Sequence, residues 1–383
     1  MRQTVRPLAR PLARPARDTR LDIVRGWMQI SIFVSHVVGS VFAWGIHAAW
    51  GLSDSSEQFI FLSGLTLGSV FTLKASRDGH LAAQRDLLKR TFKLYRTQLL
   101  LFFGFSVMVV FAAVLLRDTS DLVQGGWCLL VDEPWVALPA AFAMLYQPEY
   151  MGILPGFVFG MLLLGPFLWL VERWGNWALL PSVAVYAATQ LGWIATPGFG
   201  ALGIAFDPLA WQLLYVLGGL LGRRSLLGQG LPRQRWVFWG AVAVAVVGFA
   251  ARLVEHGFIP GPGLAVAALQ HKEILAPTRL LHALSLAYLV AVLIPREAGW
   301  MHGRLGEWLA MIGRHSLPVF CFGLYLAWGV NTAARELPEQ AMALHLALVP
   351  LGVLLLGLRA RLADGGLMRV VRAAFRLGPP QMI

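Results

Sequence analysis

The sequence predicts an all-α fold, a polytopic integral membrane bundle of about ten transmembrane helices, and three observations predict it. Composition is the first. Of 383 residues, 57% are hydrophobic and only 14% charged, with a mean hydropathy of +0.64. Soluble domains carry about 25% charged residues, so a water-exposed surface of ordinary size is excluded. The second is the recurrence of apolar runs long enough for about 30 Å of hydrocarbon. The third is the alternation of basic and acidic connections between those runs, as the positive-inside rule requires. Fifteen Trp and 40 Gly fit the same class, as interfacial anchors and as points of close helix approach.

Taken in order, residues 1–20 form a basic, proline-rich stretch with no signal-peptide core, expected to be a disordered cytoplasmic tail. Residues 21–362 are expected to hold the membrane domain, with spans near 23–45, 54–73, 97–116, 150–171, 177–195, 207–222, 236–253, 278–295, 307–330 and 341–359. Basic clusters follow the second span (Lys74 to Arg96), the sixth (Arg223, Arg224, Arg233, Arg235), the eighth (Arg296, Arg304) and the tenth (Arg359, Arg361). Asp118, Asp121, Asp132 and Glu133 follow the third. That pattern puts both termini in the cytoplasm. Residues 363–383 read as a second basic cytoplasmic tail.

Two connections stand out. Residues 75–96 alternate basic and apolar positions at helical spacing, as an amphipathic helix lying on the inner leaflet would. Its cations suit anionic lipid or, alternatively, the gathering of a polyanionic substrate. The segment 117–149, with Trp127, Trp135 and Tyr146, reads as a partly buried, re-entrant or capping loop. The net charge of +12 falls mainly in such connections, so it speaks for membrane topology and not for nucleic acid. Cys128 and Cys321 stand in different contexts with no ligand cluster around them, so neither a disulfide framework nor a metal site is expected.

Polar residues inside apolar runs mark a candidate site, because a charge in hydrocarbon costs at least about 2.5–3.5 kcal/mol unless it faces a cavity or a partner. Asp22, Arg25, Gln29, His36 and Ser40 share one face of the first span. Arg25 and His36, eleven residues apart, lie roughly 16 Å apart along that axis, with His36 about 13 Å inside the outer end of the helix. Asp54 and Glu57 open the second span. Further along come Asp207 and Gln212 at the sixth, Arg279 and His282 in the eighth, and Arg314 and His315 inside the ninth.

These residues carry a resemblance. The first two helices, FDPLAWQLLYVLG from Phe206, HKEILAPTRLLHALSLAYL from His271 and GRHSLPVFCFG from Gly313 resemble the OpgC family of osmoregulated periplasmic glucan succinyltransferases. The likeness runs from about Arg20 to about Leu358. The Arg25-to-His36 spacing is similar to the R-x10-H pattern of the wider acyltransferase type 3 superfamily. The chain departs from the family at four places: Ser35 replaces an aspartate, Val38 a proline, Leu65 the tyrosine of FLSGY and Asp207 the asparagine of FNP.

The resemblance implies a ten-helix enzyme of the bacterial inner membrane. It would move an acyl group, typically succinyl, from a cytoplasmic acyl-CoA donor to hydroxyls of a periplasmic glucan or other glycan, with no tightly bound cofactor. On that reading His36 is the base and Asp54 or Glu57 orients it. Arg25, Arg314, His315, Arg279 and Gln212 contact donor or substrate. Ser63 lacks a nucleophile elbow, so direct transfer is expected. Structural alternatives stand beside each role: an interhelical hydrogen bond for His36, neutralisation of Asp22 for Arg25, an N-cap for Asp54, a carboxylate partner for Arg314, and interface positions for Asp207, His271 and Arg279. Two other functions fit the same charges, a transporter or flippase for an anionic or lipid-linked solute and an acyltransferase-like protein without activity. The sequence specifies no oligomeric state.

Overall fold

Helix α1 spans Thr19–Ser35, α2 Ser55–Asp78, α3 His80–Phe111, α4 Ser120–Val123, α5 Cys128–Asp132, α6 Pro134–Phe142 and α7 Ile153–Trp174. Then come α8 (Leu179–Gln190), α9 (Pro208–Leu226), α10 (Arg235–Glu255), α11 (Pro277–Leu293), α12 (Arg304–Arg314), α13 (Ser316–Glu336) and α14 (Ala341–Arg361). This computed structural model describes residues 12–366 apart from residue 14 and residues 262–269. Most of the expected N-terminal tail, and the C-terminal tail beyond residue 366, lie outside the described residues. Among the described residues there is no strand, only an isolated bridge between Tyr146 and Phe199.

A helix falls in each of the ten predicted segments, and six helical stretches are long and apolar enough to cross a membrane: Ser55–Asp78, His80–Leu116, Ile153–Gln190, Arg235–Glu255, Ser316–Glu336 and Pro338–Gly365. Large apolar side chains face outward along them, including Leu100 and Val107 on α3, Trp236 and Val247 on α10 and Leu354 on α14. Water would penalise that surface, whereas lipid accepts it.

Three expectations need correction. The first helix ends at Ser35 instead of continuing to residue 45, and Gly39, at φ +74°, turns the chain into short 3₁₀ turns at Val41–Gly45 and His47–Ala49. The segment 75–96 is not a separate surface helix. α2 stops at Asp78, Gly79 makes the turn at φ +84°, and the basic stretch opens α3, which continues unbroken into the apolar run. Ala83 and Leu87 on one side of this stretch are buried in protein, whereas Leu81, Leu88 and Phe92 on another are exposed, an apolar stripe that suits lipid. Finally, the ninth segment is broken into α12 and α13 at His315. Pro318 explains the break, since its ring occupies the space of the Arg314 carbonyl four residues back and it offers no N–H in return.

The chain folds as two compact units, one of the described residues within Met1–Ala16 and Ser56–Leu286, the other within Arg17–Ser55 and Ala287–Ile383. In the first, α7 packs on α3 and α9, and α8 packs on α9. The seam between α2 and α9 is made of glycine. Added Cβ atoms at Gly64 and Gly68 would strike the carbonyls of Tyr215 and Gly219, and those at Gly218 and Gly222 the carbonyls of Phe61 and Leu65. Bare glycine brings the two backbones together where lipid provides no hydrophobic drive for association. Glu172 of α7 ties the helix ends, pairing with His80 of α3 at 2.7 Å and Arg223 of α9 at 3.0 Å. The connection after α3 is a packed cap: Trp127 and Tyr146 are buried against Phe102, and the Tyr146 hydroxyl donates to the Gly126 carbonyl at 2.8 Å. Burial pushes the Tyr146 phenol up to about 12.

In the second unit α1 packs on α12 and α13, and α13 on α14. Gly26 meets the Leu309 carbonyl and Gly313 the Asp22 carbonyl, again at distances that leave no room for Cβ. Phe33, Val34, Ile312, Val319, Val349 and Leu356 fill the core around this crossing.

Candidate functional site

The polar stripe of α1 begins with a charge-matched first turn. Asp18 caps the helix, accepting from the Arg20 N–H at 3.2 Å and from its guanidinium at 2.7–2.9 Å. Burial raises the Asp18 carboxyl, but its bonds to Arg20 outweigh that and hold it below the usual carboxylate range. Asp22 is bound bidentately by Arg17, at 2.6 and 3.1 Å. Asp22 thus has a guanidinium other than Arg25, which sits half-buried one turn further in. Gln29, the next residue of the stripe, is fully enclosed.

His36 sits at the C-cap of α1 and not inside a longer helix, with φ −88° and ψ −6°. Its ring folds back on its own helix, Nδ1 lying 2.7 Å from the Ile32 carbonyl oxygen. A carbonyl only accepts, so Nδ1 carries the proton and the lone pair of the neutral imidazole lies on Nε2. The Ile32 carbonyl thus holds the imidazole at Nδ1. The Ser35 hydroxyl donates to the same Ile32 carbonyl at 2.9 Å.

The turn after His36 is clamped by a residue that sequence reasoning missed. Asn331 of α13 donates Nδ2–H to the His36 carbonyl at 2.8 Å and accepts the Val38 N–H at 3.0 Å. A helix C-terminus leaves its last carbonyls without internal partners, and this carboxamide meets one of them. An Asn within the apolar run WGVNTAA was the available signal. His345 of α14 lies buried beneath the same turn, its Cε1 3.8 Å from where a Gly39 Cβ would be. Further along, Asp54 directly precedes the first residue of α2 and its charge faces His47. Burial lowers the His47 imidazole below its ordinary value, against the upward pull of Asp54.

Arg314 and His315 mark the α12–α13 break. Arg314 is exposed at the end of α12 rather than enclosed in a long span, and His315 Nε2 lies 2.9 Å from Asp364.

In the first unit the principal polar feature is an enclosed ion pair. Glu57, in the first turn of α2, meets Arg279 of α11 through Nε at 2.6 Å and Nη2 at 2.5 Å, with side-chain exposures of 0% and 4%. Gln58 reinforces the junction from 3.5 Å, donating to the Ala283 carbonyl of α11. Arg279, His282 and Ser285 recur every third residue and form the buried polar stripe of α11. Arg279 is therefore core, not an interface residue. Gln212 of α9 donates to the Ser182 carbonyl of α8 at 2.8 Å, an interhelical bond. Asp207 caps α9 and holds the Thr196 hydroxyl at 2.7 Å, while His271 is exposed. Among the basic residues near the α2–α3 turn, Lys74 and Arg90 share Asp86, at 3.5 and 2.8 Å. No group of three or more His, Cys, Asp or Glu suited to a metal ion occurs among the described residues.

The family model described as OpgC protein matches residues 17–365, nearly the whole chain. No curated protein and no solved structure matches it.

Proposed function

The chain belongs to the OpgC protein family, and from that premise we propose that it is a membrane O-acyltransferase. It takes an acyl group, succinyl in the first instance, from a cytoplasmic acyl-CoA and places it on hydroxyls of a periplasmic glucan. The basic connections support a ten-span arrangement in the inner membrane with both termini in the cytoplasm. The observation that carries the reading is the state of His36: half-buried at a helix end, protonated at Nδ1 by the Ile32 carbonyl bond, and basic at Nε2.

In the proposed reaction His36 Nε2 accepts the proton of the acceptor hydroxyl as that oxygen attacks the thioester carbonyl. The tetrahedral intermediate collapses with cleavage of the C–S bond, and the imidazolium returns its proton to the departing thiolate. The products are an O-acyl ester and a free thiol, and no acyl-enzyme forms. Asn331 holds the His36 backbone, which fixes where Nε2 points. Arg25, about 16 Å along the helix from His36, suits the anionic end of the donor. The Glu57–Arg279 pair joins α2 to α11 and leaves no charge uncompensated there.

The test is ester analysis of periplasmic and surface glycans from cells carrying wild type or His36→Ala at matched membrane levels. Acyl esters that depend on wild type and vanish in His36→Ala are expected, and their mass identifies the donor. Esters present equally in both samples would remove His36 as the base. Their absence from both would favour the transporter or inactive reading.

A further inference from the structure

We propose that Gln29 holds the amide-bearing arm of the acyl donor between Arg25 and His36, an inference that rests on the transfer reading above. Gln29 is 2% exposed, and neither Nε2 nor Oε1 of its carboxamide has a hydrogen-bond partner among the described residues. A primary amide offers two N–H donors and a carbonyl with two lone pairs, and burying them unmet is costly. Leu or Met would fill the same space without that cost. Of the neighbouring polar groups of α1, Asp22 is matched by Arg17, and the Ser35 hydroxyl and the His36 ring by Ile32. The buried Ser31 hydroxyl, two residues on and about 160° around the helix, also has no partner among the described residues. On the Arg25–His36 face, the Gln29 carboxamide is thus left to take its hydrogen bonds from a ligand.

Its position says which part of the ligand. Gln29 is four residues from Arg25 and seven from His36, hence roughly 6 Å and 10 Å along the axis and within about 40° of both around it. Side chains on a helix lean toward its N-terminus, and the His36 ring does so visibly in reaching Ile32. The Gln29 amide thus leans toward Arg25, away from the reacting carbonyl, and is no oxyanion donor. What must pass between a cation that holds the anionic end and a base beside the thioester is the connecting chain. A pantetheine-type arm is such a chain, carrying one secondary amide near the sulfur and a second further off. A carboxamide can donate to the carbonyl of that far amide and accept from its N–H. Gln29 is therefore a positioning residue that selects donors with the far amide.

The experiment uses the full chain in proteoliposomes with a glucan oligosaccharide as acceptor. Two donors are compared: succinyl-CoA, and the succinyl thioester of N-acetylcysteamine, which keeps the near amide and lacks the far one. Gln29→Leu is expected to raise KM for succinyl-CoA about tenfold with kcat unchanged, as the loss of two neutral hydrogen bonds implies. Its kcat/KM for the truncated donor stays within about twofold of wild type, and its thermal midpoint is equal or higher. Equal losses on both donors, no change on either, or a lowered midpoint would overturn the assignment while leaving transfer intact. If Gln29→Leu does not assemble, Gln29→Met is read by the same criteria. A wild-type protein that transfers from neither donor overturns the transfer reading, and the Gln29 assignment with it.

Discussion

Arg279→Met strips the enclosed carboxylate of Glu57 of the guanidinium that lies 2.5–2.6 Å away. At 0% and 4% exposure neither group is screened by solvent. Removing one partner of a buried pair costs about 3–5 kcal/mol, because the remaining charge keeps its desolvation penalty and loses its compensation. Glu57→Leu, which leaves Arg279 charged, costs about the same. The double variant Glu57→Leu/Arg279→Met removes both charges and both penalties, and is expected within about 1 kcal/mol of wild type. The cycle thus predicts a coupling energy of several kcal/mol, far above the ~0.5 kcal/mol scatter of independent sites. The assay is equilibrium unfolding in mixed micelles, with helix loss followed by circular dichroism for wild type and the three variants. Additive losses, with the double variant as unstable as the two singles together, would refute the idea that the charges exist to neutralise each other. Activity of the double variant then separates anchoring from donor contact: a folded protein that still transfers acyl groups shows that Arg279 only anchors.

Three further outcomes follow from the same geometry. Asn331→Leu removes both bonds of the clamp and is expected to cost about 1–3 kcal/mol. It should also lower kcat at least tenfold with donor KM unchanged, measured as initial acyl transfer rates at matched protein. His47 has its imidazole lowered by burial, so its neutral form is the stabilised one. That contribution is complete above the ordinary value of about 6.5 and declines as pH falls below it, and His47→Phe should flatten the acid side of a stability profile taken from pH 7.5 to 5. At the α1–α12 crossing, Gly313→Leu is expected to lose at least about 1–3 kcal/mol because its neighbour is the Asp22 backbone, whereas Arg314→Ala, on the exposed end of α12, stays within about 0.5 kcal/mol. Thermal shifts of the two variants side by side decide it.

Much of the fold was legible because a bilayer solvent imposes one strong pattern, a run of apolar residues closed by charge or turn residues. α2, α7, α10 and α14 fall within a few residues of where that pattern puts them. What composition does not encode is where a run stops being one straight helix. The break at His315 depends on Pro318 acting three residues downstream, and the end of α1 on Gly39 taking a left-handed turn. Both signals were visible but are single residues inside long apolar windows. The fusion of residues 80–96 with the apolar half of α3 was not legible because helical periodicity reads the same in a short helix and in the first turns of a long one, here with Ala83 and Leu87 buried and Leu81, Leu88 and Phe92 exposed.

The site divides along a different line. Periodicity placed Arg25, Gln29 and His36 on one face of α1, and the helix carries them there because that reading needs only 3.6 residues per turn. Partnership was not legible, since it is settled by residues hundreds of positions away. Glu57 is 222 residues from Arg279 and His36 is 295 from Asn331. Sequence reasoning offered Asp22 as a structural partner for Arg25 and Asp54 or Glu57 as the group that orients His36. The structure gives Asp22 a bidentate bond from Arg17 and Glu57 an enclosed pair with Arg279. A histidine at a helix end has a carbonyl of its own last turn within reach, so it needs no carboxylate to fix its tautomer. Ser35 in place of an aspartate then leaves the Nδ1 anchor intact, and the reaction proposed for His36 does not depend on the missing Asp–His pair.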